Sequence, residues 1–207
     1  MRWSRRKVIR RLGLPHDEAL LEWAVLDDRP AMVPTLPLAP PGHLPQCVAL
    51  TNRAVWLSQP GSVQQYPLDD IVLVSAPGPA EGALRMDFVA GDPLVVVVVD
   101  HGTFRRRLSE AIRSVEARLE IGAGATLGEP ELSPDLLAAA ERAHLRAFRL
   151  LAEYGNDPSL RMEAARHRQD ARDLRHQARV EARRKRRTEL LSLQRRTAEE
   201  HPRQHLA

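Results

Sequence analysis

Residues 48 to 57 constrain the fold of this chain more than any other segment does. Four apolar positions flank the polar tripeptide Thr51-Asn52-Arg53, namely Val48, Leu50, Val55 and Leu57. Alternating apolar residues are typical of strands, and asparagine tolerates the left-handed backbone of a tight turn. The segment therefore predicts a β-hairpin. A further turn at Gln59-Pro60-Gly61-Ser62 and the segment Tyr66 to Ile71 indicate that more strands follow.

Two later strands and one helix continue this pattern. Leu84 to Val89 alternates apolar and polar residues, which predicts a strand with one face in solvent. Leu94 to Val99 is apolar throughout, which predicts burial on both faces or between a sheet and a helix. Apolar residues then recur every three or four positions, so we expect an amphipathic helix over about Thr103 to Leu119.

The residues before the hairpin are harder to assign. Leu20 to Leu26 reads as a first strand, although a helix beginning at Asp17 fits equally well. Six prolines between positions 30 and 45 exclude a helix or a central strand, which leaves an edge strand near Met32 to Leu38 and a loop.

This order of elements predicts an α+β protein: a small, bent antiparallel β-barrel capped by an amphipathic helix, followed by a helical basic extension. The expected organisation is a basic N-terminal segment over 1–16, the barrel with its helix over 17–121 and a linker over 122–132. An amphipathic helix over 133–155 and an arginine-rich tail over 157–207, helical or partly disordered, complete the chain. Ser133-Pro134 predicts the start of the first of these two helices.

Charge is distributed unevenly along the chain. The 207 residues carry a formal net charge of +4, yet residues 1 to 12 contain six basic and no acidic groups, and residues 159 to 207 contain 14 basic and 7 acidic groups. Residues 13 to 158, which lie between these two segments, therefore carry a net charge of −9. Such asymmetry indicates that the two ends meet polyanions, or that they are simply solvated. All but two basic residues are arginine, which suggests a GC-rich bacterial genome.

Three basic clusters are candidate contacts for an anion or a partner. The triplet at 105–107 lies in the first turn of the predicted helix, where the helix dipole disfavours cations, so it meets either an anionic ligand or neighbouring carboxylates and solvent. The candidate residues are Arg5, Arg6, Arg10, Arg11, Arg105, Arg106, Arg107, Arg183, Arg184, Lys185, Arg186 and Arg187.

The N-terminal residues Ser4 to Arg10 resemble the core of a twin-arginine export signal. The apolar run that such a signal needs is interrupted by Arg11 and Pro15, so export is not expected. Val8, Ile9 and Leu12 share one side of a helix, which leaves either a short interfacial anchor or a plain basic tail. No window approaches the length of a membrane-spanning helix.

No residue pattern indicates catalysis. Adjacent Asp69 and Asp70 would point to opposite faces of a strand, and neither the histidines nor Ser58 stands at the spacing of a catalytic or metal site. The single cysteine, Cys47, cannot form an intramolecular disulfide, which favours a small buried role in a reducing, cytoplasmic setting. We expect no enzyme activity, no metal and no cofactor.

The tip Leu50 to Arg53, the segment Pro67 to Ile71, the apolar last strand and the closing helix together resemble bacterial pleckstrin-homology-like (PH-like) domains, which are similar to GRAM domains. The resemblance covers residues 17 to 121. It implies a seven-stranded, strongly bent barrel capped by a helix and used to bind lipid or protein. The first hairpin lacks a dense basic cluster, so phosphoinositide binding is not carried over.

The sequence thus predicts a non-catalytic adaptor that docks to a protein partner or to an anionic membrane surface. The alternative is nonspecific nucleic-acid binding through the arginine-rich tail, where no base-stacking aromatic follows Tyr154. A thin apolar stripe in that tail, from Leu160 to Ala178, predicts a frayed or partner-dependent helix and leaves open an oligomer formed through the C-terminal helices.

Overall fold

A computed structural model describes residues 4–26, 47–59, 61–76, 82–99, 101–125 and 127–200. The chain divides into two compact units, one formed by residues 1–125 with 194–207 and the other by residues 126–193. The edge strand predicted near Met32 to Leu38 lies outside the described residues.

The first unit contains seven strands and two α-helices among its described residues. In chain order these are α1 (Arg5–Leu12), β1 (Leu20–Val25), β2 (Cys47–Thr51), β3 (Ala54–Gln59), β4 (Ser62–Pro67), a 3-10 turn (Leu68–Asp70), β5 (Ile71–Ser75), β6 (Ala83–Phe88), β7 (Leu94–Val97) and α2 (His101–Ala123). They confirm the α+β class, the first strand and the helix that follows the last strand.

The strands form two antiparallel sheets rather than the predicted closed barrel. One sheet has the order β1-β2-β3-β4 and the other the order β5-β6-β7. An isolated antiparallel bridge between Leu26 and Val98 joins β1 to β7. Within the described residues no further pairing closes the barrel, because β4 and β5 lie in separate sheets on either side of the 3-10 turn.

The predicted hairpin is confirmed, and its polar tip is hydrogen-bonded both to the start of β3 and to the residues before β1. The Thr51 hydroxyl accepts hydrogen bonds from the backbone N–H groups of Arg53 (3.2 Å) and Ala54 (3.0 Å) and donates to the Glu18 carboxylate (2.8 Å). The Asn52 side chain accepts from the Ala19 N–H at 2.9 Å. The tip therefore anchors the residues that lead into β1.

Strand β2 of the four-stranded sheet is covered on both faces, which the sequence did not indicate. Side chains alternate between the faces of a strand, yet all five residues of β2 are buried. On one face, Cys47 and Ala49 belong to a cluster with Val8 and Leu12 of α1, against which Trp56 packs. Residues 5 to 12 are therefore a docked helix, neither a free basic tail nor an anchor with Ile9 on its buried side.

Helix α2 confirms the predicted amphipathic stripe and extends it at both ends. Its inward residues are at most 4% exposed, and the helix packs against β5, β1 and the 3-10 turn. They are Phe104, Leu108, Ile112, Val115 and Leu119. Burying a large apolar side chain is worth about 1.5–3 kcal/mol, so this stripe holds α2 in one rotation about its axis.

Three acidic residues differ from the sequence expectation. Asp87 was expected on a solvent face of β6 but is 1% exposed, and two nitrogens of Arg85 donate to its Oδ1 at 2.9 and 3.0 Å. Asp69 and Asp70 lie in the 3-10 turn instead of a strand, and Asp69 pairs with Arg118 at 2.9 Å. The carboxylates of Asp87 and Asp69 therefore make structural ion pairs.

The second unit is helical. Its helix α3 (Pro134–Tyr154) begins, as predicted, with Ser133 accepting from the Leu136 N–H. Helix α4 (Pro158–Glu200) continues without a break beyond this unit. Alanines recur every seven residues and are buried on both helices, at Ala140, Ala147, Ala164, Ala171 and Ala178. An ion pair between Arg175 and Glu141 (3.6 Å) joins the helices.

The thin stripe of α4 is thus buried within this chain, whereas the broad apolar side of α3 is buried only in part. Phe148 remains 66% exposed and Leu145 45% exposed. Oligomer formation through these helices stays a prediction.

The pair between the half-buried Arg85 and the buried Asp87 yields a stability prediction. Arg85→Ala leaves a carboxylate buried without its cation, so we expect a loss of about 2–4 kcal/mol in the free energy of unfolding. Urea denaturation of the variant measures the loss. Arg118→Ala is the control, because it breaks an exposed pair worth at most about 1 kcal/mol. Equal losses of unfolding free energy in the two variants would show that the buried Asp87 carboxylate does not need Arg85 for stability.

The thiol of Cys47 reports whether α1 stays docked. Burial raises the pKa of this thiol, although the charge of Arg11 opposes the shift, so little thiolate is available to a labelling reagent. We expect Val8→Ala/Leu12→Ala to release this eight-residue helix and to speed thiol labelling at mildly alkaline pH by about tenfold or more. Ile9→Ala, on the exposed side, serves as the control. An unchanged rate in the double variant would contradict this packing.

Candidate functional site

The side of α2 that faces solvent carries a shallow depression of about 360 Å³, which we call the α2 groove. It is lined by Gly102, Arg105, Arg106, Ser109 and Arg113. Residues three and four apart are neighbours on a helix surface, so these five positions form one stripe. The groove follows from the buried stripe, since fixing the inward side of α2 also fixes which residues point outward.

The three arginines of the groove make no ion pair with any residue that the structure describes. Other arginines of the same helix do: Arg107 lies 3.5 Å from Glu110, and Arg118 pairs with Asp69. The groove is therefore the part of α2 where positive charge is not balanced locally. Of the predicted triplet, Arg105 and Arg106 line the groove, whereas Arg107 lies outside it.

The remaining lining residues are small and leave room beside the arginines. Within the described part of the chain, the Ser109 hydroxyl has no hydrogen-bond partner, whereas the Ser114 hydroxyl donates to the Glu110 carbonyl at 3.0 Å. A Cβ atom built on Gly102 would meet nothing within 4 Å. The four lining side chains thus supply hydrogen-bond donors and charge but no carboxylate, imidazole or thiol that could act as a general base.

Two of the four predicted arginines on α1 hold the helix in place. Arg5 donates to the Leu20 carbonyl at 2.7 Å, and Arg11 donates to the Ser58 hydroxyl at 3.3 Å. Arg6 and Arg10 are exposed on the outward side, together with Lys7. The outward side of α1 is a second basic surface of the first unit.

The basic run at 183–187 is not a free cationic surface. Arg187 is 1% exposed, and Arg186 donates to the Gly128 carbonyl. The four arginines of the run all have further interactions, and Lys185 is the one member that is exposed. The structure does not bring this run together with the other candidate residues in a described site.

Sequence reasoning missed Gly102, Ser109 and Arg113 as lining residues of the α2 groove. The signal was present in their spacing, since positions 102, 106, 109 and 113 follow the helical repeat on the side opposite to the apolar stripe. The adjacent residues Arg105-Arg106-Arg107 stand out in the sequence as one run, although consecutive residues on a helix point in different directions.

A metal-binding cluster and a membrane-spanning helix are both absent from the described residues. Those residues contain no group of three or more His, Cys, Asp or Glu side chains that could hold a metal ion. None of their helices is both long and apolar enough to cross a membrane.

Comparison with known proteins gives a weak structural similarity. No protein-family model matches the sequence, and no curated protein matches it. Among solved structures, the chain is similar to the hSac2 domain from human phosphoinositide phosphatase Sac2, with a TM-score of 0.34 and 14% sequence identity. The match covers 57% of this chain and 86% of that chain. At this TM-score the similarity carries no argument about fold or activity.

The contrast within the 183–187 run can be tested directly. We expect Arg187→Ala to lower the free energy of unfolding by about 1–3 kcal/mol, because its buried stem and its interactions are lost. Lys185→Ala, two residues away on the same helix, removes the same charge from an exposed position and should leave stability nearly unchanged. Chemical denaturation followed by circular dichroism measures both. A larger loss for Lys185→Ala would contradict the burial of Arg187.

Proposed function

We propose that this protein is a non-catalytic docking module that attaches peripherally to an anionic membrane surface through the α2 groove. The observation that carries the proposal is the set of three arginines, Arg105, Arg106 and Arg113, that share one depression without an ion-pair partner among the described residues. Leaving three like charges side by side is unfavourable unless an anion compensates them.

A PH-like architecture for the first unit is part of this proposal. Its support is the order of elements: a four-stranded antiparallel sheet, a three-stranded antiparallel sheet and then a helix packed against both β1 and β5. That order matches what the sequence resemblance implies, although the described strands do not close into a barrel. A docking role also agrees with a groove that offers hydrogen-bond donors and no general base.

The chemistry of the groove favours a membrane surface over a protein partner. Protein interfaces usually depend on a few buried aromatic or apolar anchors, and the lining of the α2 groove contains none. A basic residue near an anionic lipid surface contributes about 1 kcal/mol without needing a shaped partner. Arg6, Lys7 and Arg10, on the outward side of α1, add to the basic surface of the same unit.

The nucleic-acid alternative has less support. It depends on the run at 183–187, where Arg187 is buried and the other arginines already interact within the chain. Phosphate contacts by counterion release require accessible cations, and in this run Lys185 alone is exposed.

Two charge-matched variants of α2 test the proposal. We expect Arg105→Gln/Arg113→Gln to weaken binding of the full chain to phosphatidylserine-containing vesicles by about 20-fold to 30-fold, since each arginine contributes about 1 kcal/mol. Arg107→Gln/Arg118→Gln removes the same charge from the same helix outside the groove and should weaken binding by less than about threefold. Cosedimentation at low salt measures both.

The proposal fails if the two double variants lose affinity equally, because the charge of the helix rather than the groove would then govern binding. It also fails if the full chain does not bind anionic vesicles at low salt. In that case an acidic protein surface becomes the partner to seek.

A further inference from the structure

Within the α2 groove, Ser109 lies midway between two of the unpaired arginines. Arg105 precedes it by four residues and Arg113 follows it by four, so each lies about 6 Å away along the helix axis and on the same side. Arg106 is three residues before Ser109 and also lines the groove. Three guanidinium groups can therefore converge on the space above one hydroxyl.

We infer that the α2 groove binds one phosphate monoester, held above Ser109 by Arg105, Arg106 and Arg113. This inference deepens the proposed function and rests on the same groove. The inference specifies the ligand as a compact dianion, whereas the proposed function requires only an anionic surface.

The donors that line the groove match that ligand. Each guanidinium presents N–H groups in a fork that fits two oxygens of a phosphate, and the Ser109 hydroxyl adds a donor that no described residue uses. A phosphate monoester carries about −1.5 to −2 charges at neutral pH and three strong acceptor oxygens. A phosphodiester or a carboxylate offers one charge, so it would leave part of this donor set unsatisfied.

Gly102 leaves one end of the groove open for the rest of the ligand. A Cβ atom at this position would meet nothing within 4 Å, so a larger residue can start there without a clash at its first carbon and extend toward solvent. The ester-bearing part of the ligand can therefore leave the groove past Gly102, whether it belongs to a lipid headgroup or to a small soluble molecule.

The two sources of a phosphate monoester can be distinguished with two probes. Vesicles containing phosphatidic acid present the monoester on a membrane, and phosphatidylserine vesicles matched in surface potential present charge without it. Glycerol 3-phosphate presents the same group in solution. The full chain is used throughout, with vesicle binding measured by cosedimentation and glycerol 3-phosphate binding measured by calorimetry.

We expect the full chain to bind phosphatidic acid vesicles about tenfold more tightly than the matched phosphatidylserine vesicles, the size of one or two added charge-assisted hydrogen bonds. Ser109→Ala and Gly102→Leu should each lower this ratio about threefold or more, by loss of a donor and by obstruction. Ser114→Ala removes a hydroxyl from the same helix outside the groove and should leave the ratio unchanged.

The possible binding results either support or overturn the inference of a phosphate monoester. A raised ratio that falls in the Ser109 and Gly102 variants supports a lipid-borne monoester. Glycerol 3-phosphate binding that Ser109→Ala weakens supports the same chemistry from a soluble source, even if no vesicle binds and the proposed function fails. Equal binding to both vesicles with no glycerol 3-phosphate binding overturns the inference and leaves the docking proposal standing. A ratio that Ser114→Ala lowers as much as Ser109→Ala overturns it as well.

Discussion

The burial of the apolar stripe of α2 is the constraint on which the first unit depends. Phe104, Leu108 and Ile112 are nearly inaccessible to solvent, and the helix that carries them contacts β5, β1 and the 3-10 turn. Because that packing fixes the rotation of α2, it also determines that Arg105, Arg106 and Arg113 face outward together. A 100° rotation, the angle between successive helical residues, would replace this groove by a different set of side chains and would expose part of the stripe.

The elements with a local periodic signal could be predicted from the sequence. The β2–β3 hairpin has a repeat of two residues, the α2 stripe has a repeat of three to four, and β7 is a continuous apolar run bounded by turn residues. Each of the three is present in the structure. Ser133 and Pro134 predicted the start of α3 for a similar reason, since a side-chain acceptor before a first-turn proline satisfies the helix end whatever surrounds it. Such features depend on neighbouring residues and little on the tertiary fold.

The features that depend on distant partners could not be predicted in this way. Nothing near Val8 indicates that it packs on Cys47. Asp87 alternates with apolar residues as an exposed strand residue would, although it is buried and pairs with the half-buried Arg85. The candidate site likewise contains residues that the sequence reveals and a residue that only the fold reveals. Arg105 and Arg106 were found because charges stand out in a sequence, whereas Arg113 joins them only through the rotation of α2. Arg187 was misjudged, because a run of like charges does not reveal which members are buried.

The central claim is that the outward side of α2 meets an anionic membrane. Arginine-specific modification of the full chain by phenylglyoxal, with and without anionic vesicles and read out by mass spectrometry, tests it without any substitution. The account predicts that vesicles protect Arg105, Arg106 and Arg113, while Arg107 and Arg118 on the same helix remain as reactive as in the free protein. Uniform protection along α2, or protection confined to Arg183 and Arg184, would contradict it.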